Sequence, residues 1–191
     1  CMALDGAVLY FAEDKQVHRV ALGGGEAIRV AELDGQVAAL AVDGRYLYAF
    51  TVTQEHAFVA GDVLRLPKQG GPPSSLAAAA PRPAPLSDVV LGSDRIIWSS
   101  ERPARILTVP LAGGVIETLI ENGSYPVRVG DLLYWQDGAG VWEMPVRGGE
   151  SRLVMERRTG AMGPIQVAGP DLVWVDGSAR RLVRARLLAA R

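Results

Sequence analysis

Internal repetition restricts this chain more than any other feature. One short apolar string recurs five times, as Leu9-Tyr10-Phe11, Leu47-Tyr48-Ala49, Ile96-Ile97-Trp98, Leu133-Tyr134-Trp135 and Leu172-Val173-Trp174. Its third positions lie 38, 49, 37 and 39 residues apart. Behind each string comes a second apolar segment. In four copies it runs into a glycine pair, read as Gly23-Gly24, Gly70-Gly71, Gly113-Gly114 and Gly148-Gly149, while the fifth copy, Arg184 to Leu188, has none. Ahead of each string a short apolar segment ends in a turn, at Ala39 to Gly44, Val89 to Gly92, Pro126 to Gly130 and Pro164 to Gly169. Ala3 to Gly6 fits the end of that element in copy one. A fourth segment follows the glycines at Ala27 to Ala31, Leu76 to Ala80, Ile116 to Ile120 and Arg152 to Met155.

Alternating apolar residues fit half-buried strands. Glycine supplies the backbone freedom that tight turns demand. Four short strands in about 40 residues are the mark of a β-propeller blade. The expected fold is therefore all-β: a single β-propeller domain over residues 1–191, with blades at roughly 1–35, 36–85, 86–123, 124–160 and 161–191. A β-sandwich also spaces its strands regularly, but it does not require five in-register copies of string, turn, strand and glycine pair.

Composition agrees with a packed domain. Hydrophobic residues make up 49% and charged residues 21% of the chain, unlike a disordered one. The balance of 20 Lys+Arg against 21 Asp+Glu gives no electrostatic pull toward nucleic acid or an anionic membrane. One Cys excludes a disulfide framework, and two His make a multi-histidine metal centre an unpromising reading. There is no apolar run of about 18 residues, so no membrane-spanning helix is encoded.

The run from Leu-Tyr-Trp to a strand ending Val-Pro-Leu-x-Gly-Gly is clearest at Ile97 to Gly114 and Leu133 to Gly149. It resembles the bacterial propeller repeats related to the YWTD, NHL and Tol-type families, although no copy keeps a full Tyr-Trp-Thr-Asp string. That resemblance covers nearly the whole chain. It implies an extracytoplasmic bacterial protein (periplasmic, cell-surface or secreted), often a surface lipoprotein, in a group that includes ligand readers, sensor domains, scaffolds and some enzymes.

The strand count raises a question of closure. Copy five ends without a fourth strand, and copy one begins partway through its first. Five blades closing alone would leave an incomplete outer edge. The alternatives are five blades of a larger six- to eight-bladed ring, or two copies that complete each other. Cys1 matches the lipid-bearing first residue of a processed lipoprotein, but no tether separates it from blade one, which favours a cut from a longer chain.

Candidate chemistry is sparse. Glu55-His56, in a loop inserted into copy two, is the one acid–base pair that suggests proton transfer, against the plainer reading of an exposed loop histidine. His18 reads as a partly exposed strand residue. Asp-Gly pairs at Asp5, Asp34, Asp43, Asp137 and Asp176 suit hairpin turns better than calcium, since no Asp-x-Asp-x-Asp loop occurs. Trp98, Trp135 and Trp174 recur at blade period and read as packing, while Trp142 is off register and is expected to be more exposed. Asp88, Arg128 and Gln166 lie on the innermost strands, where a polar side chain either faces channel water or meets a ligand. The basic tail Arg180 to Arg186 alternates as a strand and lacks the aromatic interleaving of a nucleic-acid surface. No nucleophile elbow, phosphate loop or His-Glu-x-x-His occurs.

These readings lead to a non-catalytic scaffold that binds a protein or peptide partner or another ligand, with no cofactor and no metal. The alternatives are a small-molecule-binding or lyase/hydrolase-type propeller with its site at the channel mouth (Glu55, His56, Arg128), and a fragment or sensor domain of a larger propeller protein.

Overall fold

The computed structural model describes residues 1–52, 60–84, 89–157, 162–169, 171–177 and 180–186. Among them there is no helix, and the strands form five antiparallel sheets. The first sheet is β1 (Met2–Asp5), β2 (Val8–Glu13), β3 (Gln16–Ala21) and β4 (Ile28–Glu32), paired in chain order. The second repeats this with β5 (Gln36–Val42), β6 (Tyr46–Val52), β7 (Ala60–Pro67) and β8 (Ser74–Pro81). The third holds β9 (Val90–Leu91), β10 (Arg95–Glu101), β11 (Ala104–Pro110) and β12 (Glu117–Glu121). The fourth holds β13 (Ser124–Val129), β14 (Leu132–Gln136), β15 (Gly140–Pro145) and β16 (Arg152–Glu156). The fifth has three strands, β17 (Gln166–Ala168), β18 (Asp171–Asp176) and β19 (Arg181–Arg186). Every apolar string read from the sequence lies on the second strand of its sheet.

The described residues divide into two compact units: 1–83 with 94–96 and 108–117, and 84–93 with 97–107 and 118–191. In the first unit Tyr10, the middle residue of its string, shares a core with Leu47 and Ala49, the outer residues of the next string. In the second unit Ile97 shares a core with Leu133 and Trp135, and Tyr134 with Leu172 and Trp174. Strand alternation explains the rule. Neighbouring residues point to opposite faces, so the middle residue meets the following sheet and its two neighbours meet the preceding one. An inner sheet is therefore apolar on both faces, and its strands read as near-continuous apolar runs. Trp98, Trp135 and Trp174 are 0%, 2% and 6% exposed, as their packing role requires.

Turns account for the rest of the pattern. At the end of the third strand in the first four sheets an N–H closes on the carbonyl three residues back: Gly24 on Ala21 (3.0 Å), Gly70 on Pro67 (3.1 Å), Gly113 on Pro110 (2.9 Å) and Gly148 on Pro145 (2.9 Å). Each of these glycines and its successor has positive φ, 92° and 122° at Gly24 and Gly25. The structural pair in copy one is thus Gly24-Gly25, one residue beyond Gly23-Gly24. A run of three glycines hides the register that the backbone dihedrals reveal. Two of the Asp-Gly aspartates build their own turns. The Asp43 carboxylate accepts from the N–H groups of Arg45 and Tyr46 (both 2.7 Å), and Asp137 from Ala139 (2.7 Å) and Gly140 (3.0 Å).

Candidate functional site

In the second unit a cleft of about 390 Å³ opens between β14–β16 and β18–β19. Its apolar lining is Val141, Val154, Met155, Leu172, Trp174 and Ala185, and its polar lining is Tyr134, Glu143, Arg152 and Arg186. Register assembles the polar side. Tyr134 on β14 stands opposite Glu143 on β15, which stands opposite Arg152 on β16. Three residues remote in sequence so become one row across the sheet. Arg152 donates to Glu143 from both Nε and Nη2, with the Nε contact at 3.1 Å. Glu143 also bonds the Tyr134 hydroxyl. Burial, that hydrogen bond and the nearby carboxylate charge together push the Tyr134 phenol up to about 12. It is a neutral hydroxyl throughout the physiological range.

The fifth sheet adds a buried carboxylate. Asp171 is fully buried and receives Arg184, with Arg186 Nε at 3.4 Å. The Arg184 hydrogen bond holds its carboxyl below the usual range against the opposing pull of desolvation, with Arg186 helping. Arg152 and Arg186 keep side-chain exposures of 74% and 70%. Their guanidinium groups are anchored at one edge, and among the described residues the contact of Arg186 with Asp171 is a long one through Nε. The cleft therefore offers an apolar floor beside two oriented cations.

The first unit carries related rows with a structural role. Tyr48 donates to Asp43 (2.7 Å) and Lys68 pairs with Asp5. Burial, then the Asp43 hydrogen bond and charge, raise the Tyr48 phenol above its ordinary range. Burial would raise Asp43, but Tyr48, the two turn N–H groups and Lys68 outweigh it and hold the carboxyl low. Arg65 lies 4.9 Å over the Tyr46 ring. A recess of about 60 Å³ at Asp94, Arg95, Thr108, Pro110 and Glu117 has room for little beyond water. Among the described residues no group of His, Cys, Asp and Glu comes together to hold a metal.

Glu55, His56 and Asp88 lie outside the described residues. Arg128, on edge strand β13, spends its guanidinium on the carbonyls of Leu91 (2.6 Å) and Gly130 (2.7 Å), with Asp131 3.8 Å away. Gln166 is exposed on edge strand β17. Trp142 is more exposed than Trp98, Trp135 and Trp174. It is half-buried, opposite Trp135 in register, with the rings stacked at 6.4 Å. Cys1 is exposed, and its sulfur lies 3.7 Å from the Val37 carbonyl. The structure places none of these described residues in the lining of the cleft. The cleft residues it does assemble escaped the sequence reading, because only strand register puts Tyr134, Glu143 and Arg152 side by side. A tyrosine in the middle of the string with an acidic residue in the following strand was the available signal.

Five antiparallel meander sheets of three or four strands, buried face on face within each unit, define a β-propeller-type fold. A TolB-assigned structure from Agrobacterium tumefaciens is similar to this chain at a TM-score of 0.60 and 16% identity, covering 94% of this chain and 76% of that one. The tricorn protease matches at a TM-score of 0.47 and 10% identity, over 100% of this chain and 26% of its own. No family model matches the chain, and no curated protein matches it by sequence. Among the described residues no helix is long and apolar enough to cross a membrane.

Proposed function

We propose that this chain is a non-catalytic propeller scaffold outside the bacterial cytoplasm, and that the cleft of the second unit grips a protein or peptide partner. The supporting observation is the pairing of an apolar floor with Arg152 and Arg186, each anchored to a carboxylate at its back. A guanidinium held in place recognises a carboxylate with two parallel N–H groups, and loses little side-chain freedom in doing so. The volume suits one or two apolar side chains beside such an acid group. The repeats' resemblance to extracytoplasmic bacterial propellers supports the placement outside the cytoplasm.

The test is selection from a displayed library of random peptides against the intact chain, followed by titration of the enriched peptides. Enriched peptides carry an acidic residue next to an apolar one. Arg186→Ala combined with Val154→Asp, both exposed positions, weakens them at least tenfold, or about 1.4 kcal/mol. Peptides that bind the double variant as well as wild type overturn the assignment of the cleft.

A further inference from the structure

The cleft of the second unit has a cause that the repeats expose. In the second, fourth and fifth sheets the third strand sets one side chain opposite the first residue of the string and another opposite the last. The first pairs are Leu47 with Leu66, Leu133 with Met144, and Leu172 with Ala185. The last pairs are Ala49 with Leu64, Trp135 with Trp142, and Trp174 with Val183. Residues directly opposite each other share a face of the sheet, so these third-strand side chains join the string's outer residues against the preceding sheet.

Leu66 is 0% exposed and Met144 3%, and each fills the core between its own sheet and the one before. The fifth sheet has Ala185 at that position, and Val183 where the fourth has Trp142. Ala185 is half-buried and lines the cleft. Packed sheets stand about 10 Å apart, a gap that a lone methyl group does not span. Shortening a core side chain leaves a void when its surroundings do not collapse onto it. The cleft of about 390 Å³ is such a void, opened at a position that the repeat elsewhere fills.

We infer, resting on the reading of this cleft as a partner site, that Ala185 determines what enters it: an apolar side chain of leucine or methionine size, brought by the partner together with an acid group. That side chain takes up the space that Leu66 and Met144 occupy in their own interfaces. Charge at the rim accounts for the acid group. Arg152 and Arg186 are the exposed ends of their ion pairs, whereas the carboxylates behind them, Glu143 and Asp171, are only 12% and 0% exposed. An apolar chain that ends in a carboxylate thus lays its tail on Leu172, Trp174 and Met155 and turns its head toward a guanidinium.

4-Methylpentanoate, which is leucine without its amino group, tests this on the intact chain. The methyl resonances of Val154 and Met155 are followed by NMR as the acid is added. In wild type both shift and saturate, and acetate, a carboxylate with no tail, leaves them in place. Ala185→Met restores the side chain that the repeat carries elsewhere. It weakens binding of the acid at least tenfold and raises the urea midpoint, because the void is filled from within. Wild-type methyl groups that do not respond to the acid overturn the inference. So does a response to acetate equal to that to the longer acid, and so does an Ala185→Met chain that binds the acid as tightly as wild type. Circular dichroism establishes that the variant folds; if methionine disrupts the chain, Ala185→Val takes its place with the same outcomes. Failure of the peptide partner looks different: the displayed library enriches nothing, while the acid still binds and Ala185→Met still blocks it.

Discussion

Tyr134 and Asp171 show how single residues are shaped by partners that lie far off in sequence. Tyr134 is kept neutral by burial and by Glu143. Its folded pKa of about 12 exceeds the unfolded value of about 10, so its contribution is complete below that unfolded value and is lost as pH rises through the folded one. The phenolate absorbance difference between wild type and Tyr134→Phe will accordingly appear only near pH 12 in the native protein, and near pH 10 in urea. Asp171 has the opposite sign. Its carboxyl is lowered by Arg184, so its contribution is full above the unfolded pKa of about 3.9 and disappears as pH falls through the folded one. Asp171→Asn will lower the urea midpoint at neutral pH, and its gap from wild type will close in acid. An unchanged gap at low pH refutes the ion-pair account. Neither residue stands out in the sequence. Asp171 opens β18 and belongs to no motif, and its two arginines lie in the alternating basic tail.

Strands and turns were the legible scale. Period-two alternation fixes which residues share a face, and glycine pairs fix where the third strand stops, so all five apolar strings were placed on the correct strand. Where reading fell short the causes are local. The three glycines after Leu22 left the pair one residue out of register. A Cβ at Gly140 would lie 2.0 Å from the Met155 carbonyl oxygen. That close approach lets β15 begin beside the end of β16, where Gly140 stands opposite Glu156. Gly140→Ala will destabilise the fold by more than about 1 kcal/mol in urea titration, because the backbone must move to admit a methyl group. Gly138→Ala, with nothing within 4 Å of the added Cβ, serves as the control and will cost far less.

At the scale of the molecule, stability resides in cores local to each unit. Leu47 in the first and Leu133 in the second are both 0% exposed. Substituting either by alanine will cost about 2–5 kcal/mol, the usual loss of a buried leucine plus the cavity it leaves. Amide exchange will locate the loss, with β5–β7 exposed by Leu47→Ala and β13–β15 by Leu133→Ala. The sequence by itself determined the class of fold, the blade period, the apolar residues of each string and the turn role of Asp43 and Asp137, because all of these depend on neighbours within one or two strands. Only the tertiary structure decided which carboxylates are buried against which arginines, where the cleft opens, and that Arg128 is occupied by backbone carbonyls. Each of these depends on bringing together residues from different strands or sheets, and strand periodicity carries no record of that distance.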